Sequence, residues 1–211
     1  MEITSFADCI ATEVPGVWGQ LGGPLLLTPP AFGDARGFFF ESWNEAVFQQ
    51  ALLACGAEPK AVHELRFVQD NHSRSSRGVL RGLHYQLPPH PQGKLVRCVL
   101  GTIYDVAVDI RVGSPSFGRW VAATLSADNR QQLWVPPGFA HGFLTLSEQA
   151  EVLYKTTDLW SRPCERAIRW DDPQLAIAWP CLEQGMSAPL ISGKDGEAPL
   201  LAAVPQGDLF G

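Results

Sequence analysis

From Phe67 to Lys155 the sequence is a train of short apolar segments: "RFVQDNHS", "GVLRGLHYQ", "KLVRCVLG", "TIYDVAVDIRVG", "RWVAATLS", "QQLWVPPG", "AHGFLTLS" and "AEVLYKTT". Each carries β-branched or aromatic residues, and Gly, Pro, Ser or Asn separates most neighbours. Eight strands at this spacing predict an all-β chain, a jelly-roll barrel with a side-chain-lined cavity. In "TIYDVAVDIR", Tyr104, Val106, Val108 and Ile110 alternate with Asp105, Ala107, Asp109 and Arg111, giving one apolar and one mixed face.

The flanks are less regular. Residues 1 to 23 read as a loosely ordered leader, and residues 24 to 211 as one domain with a C-terminal packing tail. "PLLLTPPAFGDARGFFFES" gives an apolar strand, a turn at Phe32 to Asp34 and a second apolar segment, Gly37 to Phe40, as a hairpin or sheet-edge arm. One helix stands out in "SWNEAVFQQALLACG". Ser42 and Glu45 predict a capping box, Trp43, Val47, Ala51 and Cys55 recur at i+4, and Gly56 can end it over a sheet face. "AEPKAVHELR" reads as a connecting loop. Beyond Asp158 turns and short helical pieces are expected.

Composition excludes several classes. A net charge of −6 with 16 scattered basic residues disfavours nucleic acid, although two or three placed cations suffice for a phosphate-bearing small molecule. The five cysteines, Cys9, Cys55, Cys98, Cys164 and Cys181, are odd in number and contain no CxxC pair, which fits reduced thiols in a cytoplasmic protein. No stretch approaches 18 apolar residues, and no export signal is visible, so membrane association is not expected.

Several ionisable groups interrupt the apolar strands: Arg81, His84, Lys94, His141 and Tyr154. Each alone has an ordinary explanation. A histidine can be a hydrogen-bonded core or strand-end residue, Lys94 the exposed half of an alternating strand, and Tyr154 a filler of core volume. Together they are a base, cations and a phenol, the types that proton abstraction beside a carbonyl requires. In a regular strand Arg81 and His84 point to opposite faces, but a bulge at Gly82 turns both the same way. A metal site is not expected. His84-Tyr85-Gln86 lacks the HxH arrangement with a following glutamate, and His72 has no paired spacing.

"FGDARGFFFE", "FVQDNHSRSSRGVLRGLHYQ", "QGKLVRCVLGTIYDVAVDIRVGSPSFG", "VPPGFAHGFLTL", "EVLYKTTDLW", "IRWDDPQLAIAWP" and "SGKDGEAPLL" occur in the order of one known family. From about Pro15 to Ala202 the chain resembles the dTDP-4-dehydrorhamnose 3,5-epimerases. The resemblance implies a cupin-like jelly roll with a few short helices, a dimer, and inversion of C3 and C5 in dTDP-4-dehydro-6-deoxy-D-glucose. No cofactor is implied, because the substrate's C4 ketone acidifies both flanking C–H bonds.

By position in the motifs, the resemblance makes His84 the general base and Tyr154 the general acid on the opposite face of the sugar. Lys94, and with it Arg81, falls beside the C4 oxygen, and Asp195 pairs with the histidine. Arg36, Glu41, Gln69, Asn71, His141, Glu165 and Lys194 match substrate-binding positions, with Arg36 suited to a diphosphate. The family's first arm commonly reaches into the neighbouring subunit's site. Where the family usually has a tyrosine pair, this chain has Leu159 and Trp160. Trp160 keeps an aromatic face for thymine without the phenol hydroxyl. Two further readings stay open: a single-site C3- or C5-epimerase or ketoisomerase of another deoxysugar route, and a non-catalytic sugar-nucleotide binding module.

Overall fold

The computed structural model describes residues 1–11, 14, 16–181, 185 and 188–211. Positions 12, 13 and 15 of the expected leader, and positions 182–184, 186 and 187 of the C-terminal segment, lie outside the described residues. The eight-segment train forms eight antiparallel strands: β5 (Gln69–Ser76), β6 (Leu80–Gln86), β7 (Lys94–Leu100), β8 (Thr102–Asp109), β9 (Trp120–Ser126), β10 (Gln132–Val135), β11 (Phe139–Thr145) and β12 (Gln149–Thr156). With β1 (Glu2–Ser5), β2 (Leu25–Thr28) and β13 (Glu165–Ala167) they make a six-stranded sheet, β1-β2-β10-β7-β12-β5, and a five-stranded sheet, β13-β6-β11-β8-β9. The architecture is the expected cupin-like jelly roll.

Three apolar layers hold it. Between the sheets lie Val96, Ile103, Ala107, Leu125, Leu133, Phe143 and Val152, all at most 4% exposed. Outside the six-stranded sheet, Leu25, Leu27, Leu95 and Trp134 are covered by Phe48, Leu52 and Val62 of the helices α1 (Glu45–Ala54) and α2 (Pro59–Glu64). Each such side chain contributes roughly 1.5–3 kcal/mol by leaving water. Outside the five-stranded sheet, Leu83, Tyr85, Val106, Val108 and Ala140 meet Ile168, Leu175, Leu201 and Phe210 of the C-terminal segment. The apolar face of β8 therefore points outward under that segment. Its mixed face, with Ile103, Asp105, Ala107 and Asp109, points inward, and both aspartates are fully buried.

Four local expectations are corrected. The first residues are not loosely ordered: β1 pairs with β2, and Ile10 is 1% exposed in the core. Arg111 explains why. Its guanidinium is paired with Asp109 and also donates to Ala11 O at 2.9 Å and Gly22 O at 3.3 Å, so ordering the segment satisfies a buried cation. The helix cap is Asn44, whose Oδ1 accepts from Val47 N at 3.2 Å, and not Ser42, because the helix begins at Glu45. The connecting loop contains α2, started by Pro59, whose missing N–H costs nothing at a first turn. Phe32–Asp34 is not a turn but a strand, β3, paired with β4 (Gly37–Phe39).

Among the described residues all five cysteines are unpaired, and no helix is long and apolar enough to cross a membrane.

Candidate active site

The site is built on an irregularity in β6. Across the β6–β11 ladder His141 faces His84 and Phe143 faces Arg81, so two steps of β11 span three of β6. Gly82, at φ +133°, takes up the extra residue, and any side chain there would strike Gly142 Cα at 2.5 Å. A Cβ on Gly142 would in turn meet Arg81 O at 2.7 Å. The two glycines let the strands approach, and the bulge turns Arg81 and His84 into the same cavity, as the sequence predicts.

That cavity has a volume of about 520 Å³ and brings Arg81, His84, Lys94, His141, Tyr154, Lys194 and Asp195 together, with Val79, Phe143, Leu190 and Ile191 as apolar wall. A smaller recess of about 150 Å³ adjoins it, sharing His84, Lys94 and Tyr154 and adding Gln69, Asn71, Gln86, Trp160 and Glu165. A continuous groove of this kind suits a ligand with a reacting end and a longer remote end.

His84 Nε2 lies 2.6 Å from Asp195 Oδ1. Asp195 sits on the short helix α3 (Gly193–Gly196), whose cap Ser192 accepts its backbone N–H at 3.1 Å. Burial by itself raises the Asp195 carboxyl. The hydrogen bond and charge of His84, with Ser192 and the Gly82 backbone, outweigh it and hold the group below the usual carboxylate range. The carboxylate can therefore orient the ring and balance the positive charge it gains on taking a proton.

Lys94 Nζ donates to His84 O at 3.1 Å. Burial depresses its pKa to about 8, with Asp105 and Glu165 resisting the fall. Burial likewise raises the Tyr154 phenol, against the nearby Arg81. A phenol kept protonated suits a proton donor. Arg81 is held by Ser75 Oγ at 3.0 Å and Arg74 O at 3.3 Å. Lys194 Nζ lies 2.6 Å from Glu165 Oε2. Gln69 donates to Asn71 Oδ1 at 2.9 Å and accepts the Trp160 backbone N–H at 3.0 Å, so it fixes the loop that exposes the Trp160 ring.

Two predicted residues are not brought in by this chain. Arg36 projects on the exposed β3–β4 hairpin and is paired with Asp34, and Glu41 accepts from Asn44 Nδ2 at 3.2 Å. Neither lines the cavity or the recess.

Residues 19–203 match the model of the dTDP-4-dehydrorhamnose 3,5-epimerase family. The chain belongs to this family. It is 56% identical over 178 residues to the dTDP-4-dehydrorhamnose 3,5-epimerase of Pseudomonas aeruginosa, covering 84% of this chain and 91% of that one. The Shigella flexneri enzyme of the same name is 52% identical over 188 residues, 89% of this chain and 92% of its own. Among solved structures, the 3,5-epimerase of Legionella pneumophila, in complex with dTDP-4-keto-L-rhamnose, superposes with a TM-score of 0.80 at 45% identity. The superposition covers 90% of this chain and 94% of that one.

Sequence reasoning missed several residues that hold the cavity's side chains in place. Asp105 holds His141, with Oδ1 2.8 Å from Nε2. Gln86 donates to Leu159 O and accepts from Ser161 N, gripping the loop on either side of Trp160. Ser75, Ser192 and Gly142 act at one remove, through Arg81, Asp195 and Gly82. Asp105 did carry a signal, an acid in the middle of an otherwise apolar β8; the others carry none that spacing reveals.

Proposed function

We propose that this chain converts dTDP-4-dehydro-6-deoxy-D-glucose to dTDP-4-dehydro-L-rhamnose by inverting C3 and C5. The observation that carries the reading is the convergence of His84 with its Asp195 partner, the buried Lys94 and the Tyr154 phenol on one cavity.

His84 takes the proton from the carbon beside the C4 ketone. Electrons move into the carbonyl, and the enolate oxygen is stabilised by the fixed cation of Lys94, where low dielectric makes the charge count most. Tyr154 returns a proton to the opposite face, and the carbon is inverted. His84 then gives its proton to solvent and Tyr154 regains one, and repetition at the other flank of the ketone inverts the second carbon, with no change of oxidation state. The nucleotide lies along the recess with its base on Trp160, Lys194 supplies positive charge to the diphosphate, and Arg81 stands with Lys94 on the side of the ketone oxygen.

The exposed Phe32, Phe38 and Phe39 of the β3–β4 hairpin, each at least 64% exposed, support a homodimer in which the hairpin brings Arg36 and Glu41 to the partner's site. The reaction fits a cytoplasmic enzyme supplied with sugar nucleotide.

Proton NMR in deuterium oxide tests the reading. Incubated with the 4-keto sugar nucleotide, the chain is expected to place deuterium at both C3 and C5 and to yield the L-configured product. Label at one carbon only makes it a single-site epimerase, and binding without exchange makes it a binding module.

A further inference from the structure

A second imidazole–carboxylate pair faces the same cavity, and the enolisation chemistry leaves it unused. His141 lies directly across from His84 in the β6–β11 ladder, and both rings line the cavity beside Lys94. Behind His141, Asp105 is fully buried, with Oδ1 2.8 Å from Nε2. Its Oδ2 has no hydrogen-bond partner among the described residues. A buried carboxylate with an idle oxygen costs stability, so a sheet interior does not keep one for packing.

A carboxylate only accepts, so the proton of His141 sits on Nε2 and the lone pair on Nδ1. Burial above all, with the charges of Lys94 and His84, holds the ring toward its neutral form against the pull of Asp105. His141 thus offers the cavity an acceptor beside Lys94, Arg81 and Lys194, which only donate. An acceptor needs a donor on the substrate. In a 4-keto-6-deoxyhexose the C3 carbon is flanked by hydroxyls, its own and that of C2. C5 is flanked by a methyl group and the ring oxygen.

We propose that Asp105 is a positioning residue that holds His141 as the acceptor for the C2 or C3 hydroxyl, so that this pair serves inversion at C3 and not at C5. The inference rests on the epimerase reading above and adds an asymmetry to it. The hydrogen bond is available only when C3 is presented to His84, where it fixes the carbon against the base. When C5 is presented, no hydroxyl adjoins the reacting carbon.

The test compares wild-type chain with Asp105→Asn, measuring deuterium entry at C3 and C5 separately by proton NMR. The double substitution Asp105→Leu with His141→Phe is the second variant; it removes the carboxylate and the imidazole together, so neither is left buried without the other. In both variants, entry at C3 is expected to fall about tenfold relative to entry at C5, the loss of one buried hydrogen bond. A purely structural role slows both carbons in step, and that result, or an unchanged C3 rate, overturns the proposal. If wild-type chain shows no exchange at either carbon, the epimerase reading falls and this inference with it. Normal wild-type exchange without the skew removes this inference alone.

Discussion

His84 and Asp195 stand 111 residues apart in the chain and 2.6 Å apart in the fold, joined because the C-terminal segment returns to lay α3 against the β6 bulge. The same bulge turns the Gly82 backbone toward the carboxylate, so one irregularity aims the base and helps hold its partner ionised.

Asp195→Asn keeps the shape and removes the charge. The ring loses the partner that orients it and balances the charge gained on abstraction, and inversion is expected to slow by on the order of 10²–10⁴. Stability separates this from unfolding. Because the native carboxyl is held below its ordinary value, its contribution is complete above about pH 4 and is lost as pH falls through the lowered native value. The wild-type advantage over the variant in thermal midpoint should shrink on acidification, and a constant difference would count against the pairing.

Tyr154→Phe removes the donor on the far face and leaves His84 intact. Abstraction and return on one face still exchange the proton with solvent. Deuterium should therefore enter substrate without inversion, while L-configured product falls by on the order of 10²–10⁴. Loss of exchange together with inversion would show that Tyr154 serves abstraction instead.

The train of β5 to β12 was legible because period-two alternation and turn residues are local signals, and the helix over the sheet because its apolar spacing is local too. The bulge was legible for a different reason: Arg81, Gly82 and His84 make sense on one face only if the glycine breaks the register. Asp105 was not, because alternation tells that β8 has an apolar and a mixed face without telling which faces inward. The C-terminal segment covers the apolar face, and that choice is tertiary. Asp195 had no spacing to betray it and came from family resemblance, as did Arg36, on an outlying hairpin, and Glu41, just beyond it beside the helix cap.

Gly82→Ala tests the bulge. An added Cβ would sit 2.5 Å from Gly142 Cα, at a φ of +133° that side chains rarely adopt, so β6 and β11 must part. The cost in stability is expected to be about 1–3 kcal/mol. Activity should fall further than that loss explains, since His84 and His141 are carried on the two strands that separate. A variant with full turnover at reduced thermal midpoint would show that the close approach serves packing alone.

Lys94 ties stability and activity to pH with opposite signs. Burial lowers its native pKa to about 8, below the 10.5 of the free side chain. Below pH 8 the folded chain must hold a buried cation, which opposes folding. Between about pH 8 and 10.5 the unfolded chain binds a proton that the native chain does not, so this residue's contribution to stability rises with pH. Catalysis needs the cation beside the enolate oxygen, so turnover should decline as pH rises through about 8. Lys94→Met should remove both effects. Its activity should be low throughout, without the alkaline fall of the wild type, and the wild type's relative gain in thermal midpoint above pH 8 should be absent. If the alkaline limb of the pH–rate profile survives in Lys94→Met at measurable turnover, another group sets it, and the cation's place beside the oxygen must be given up.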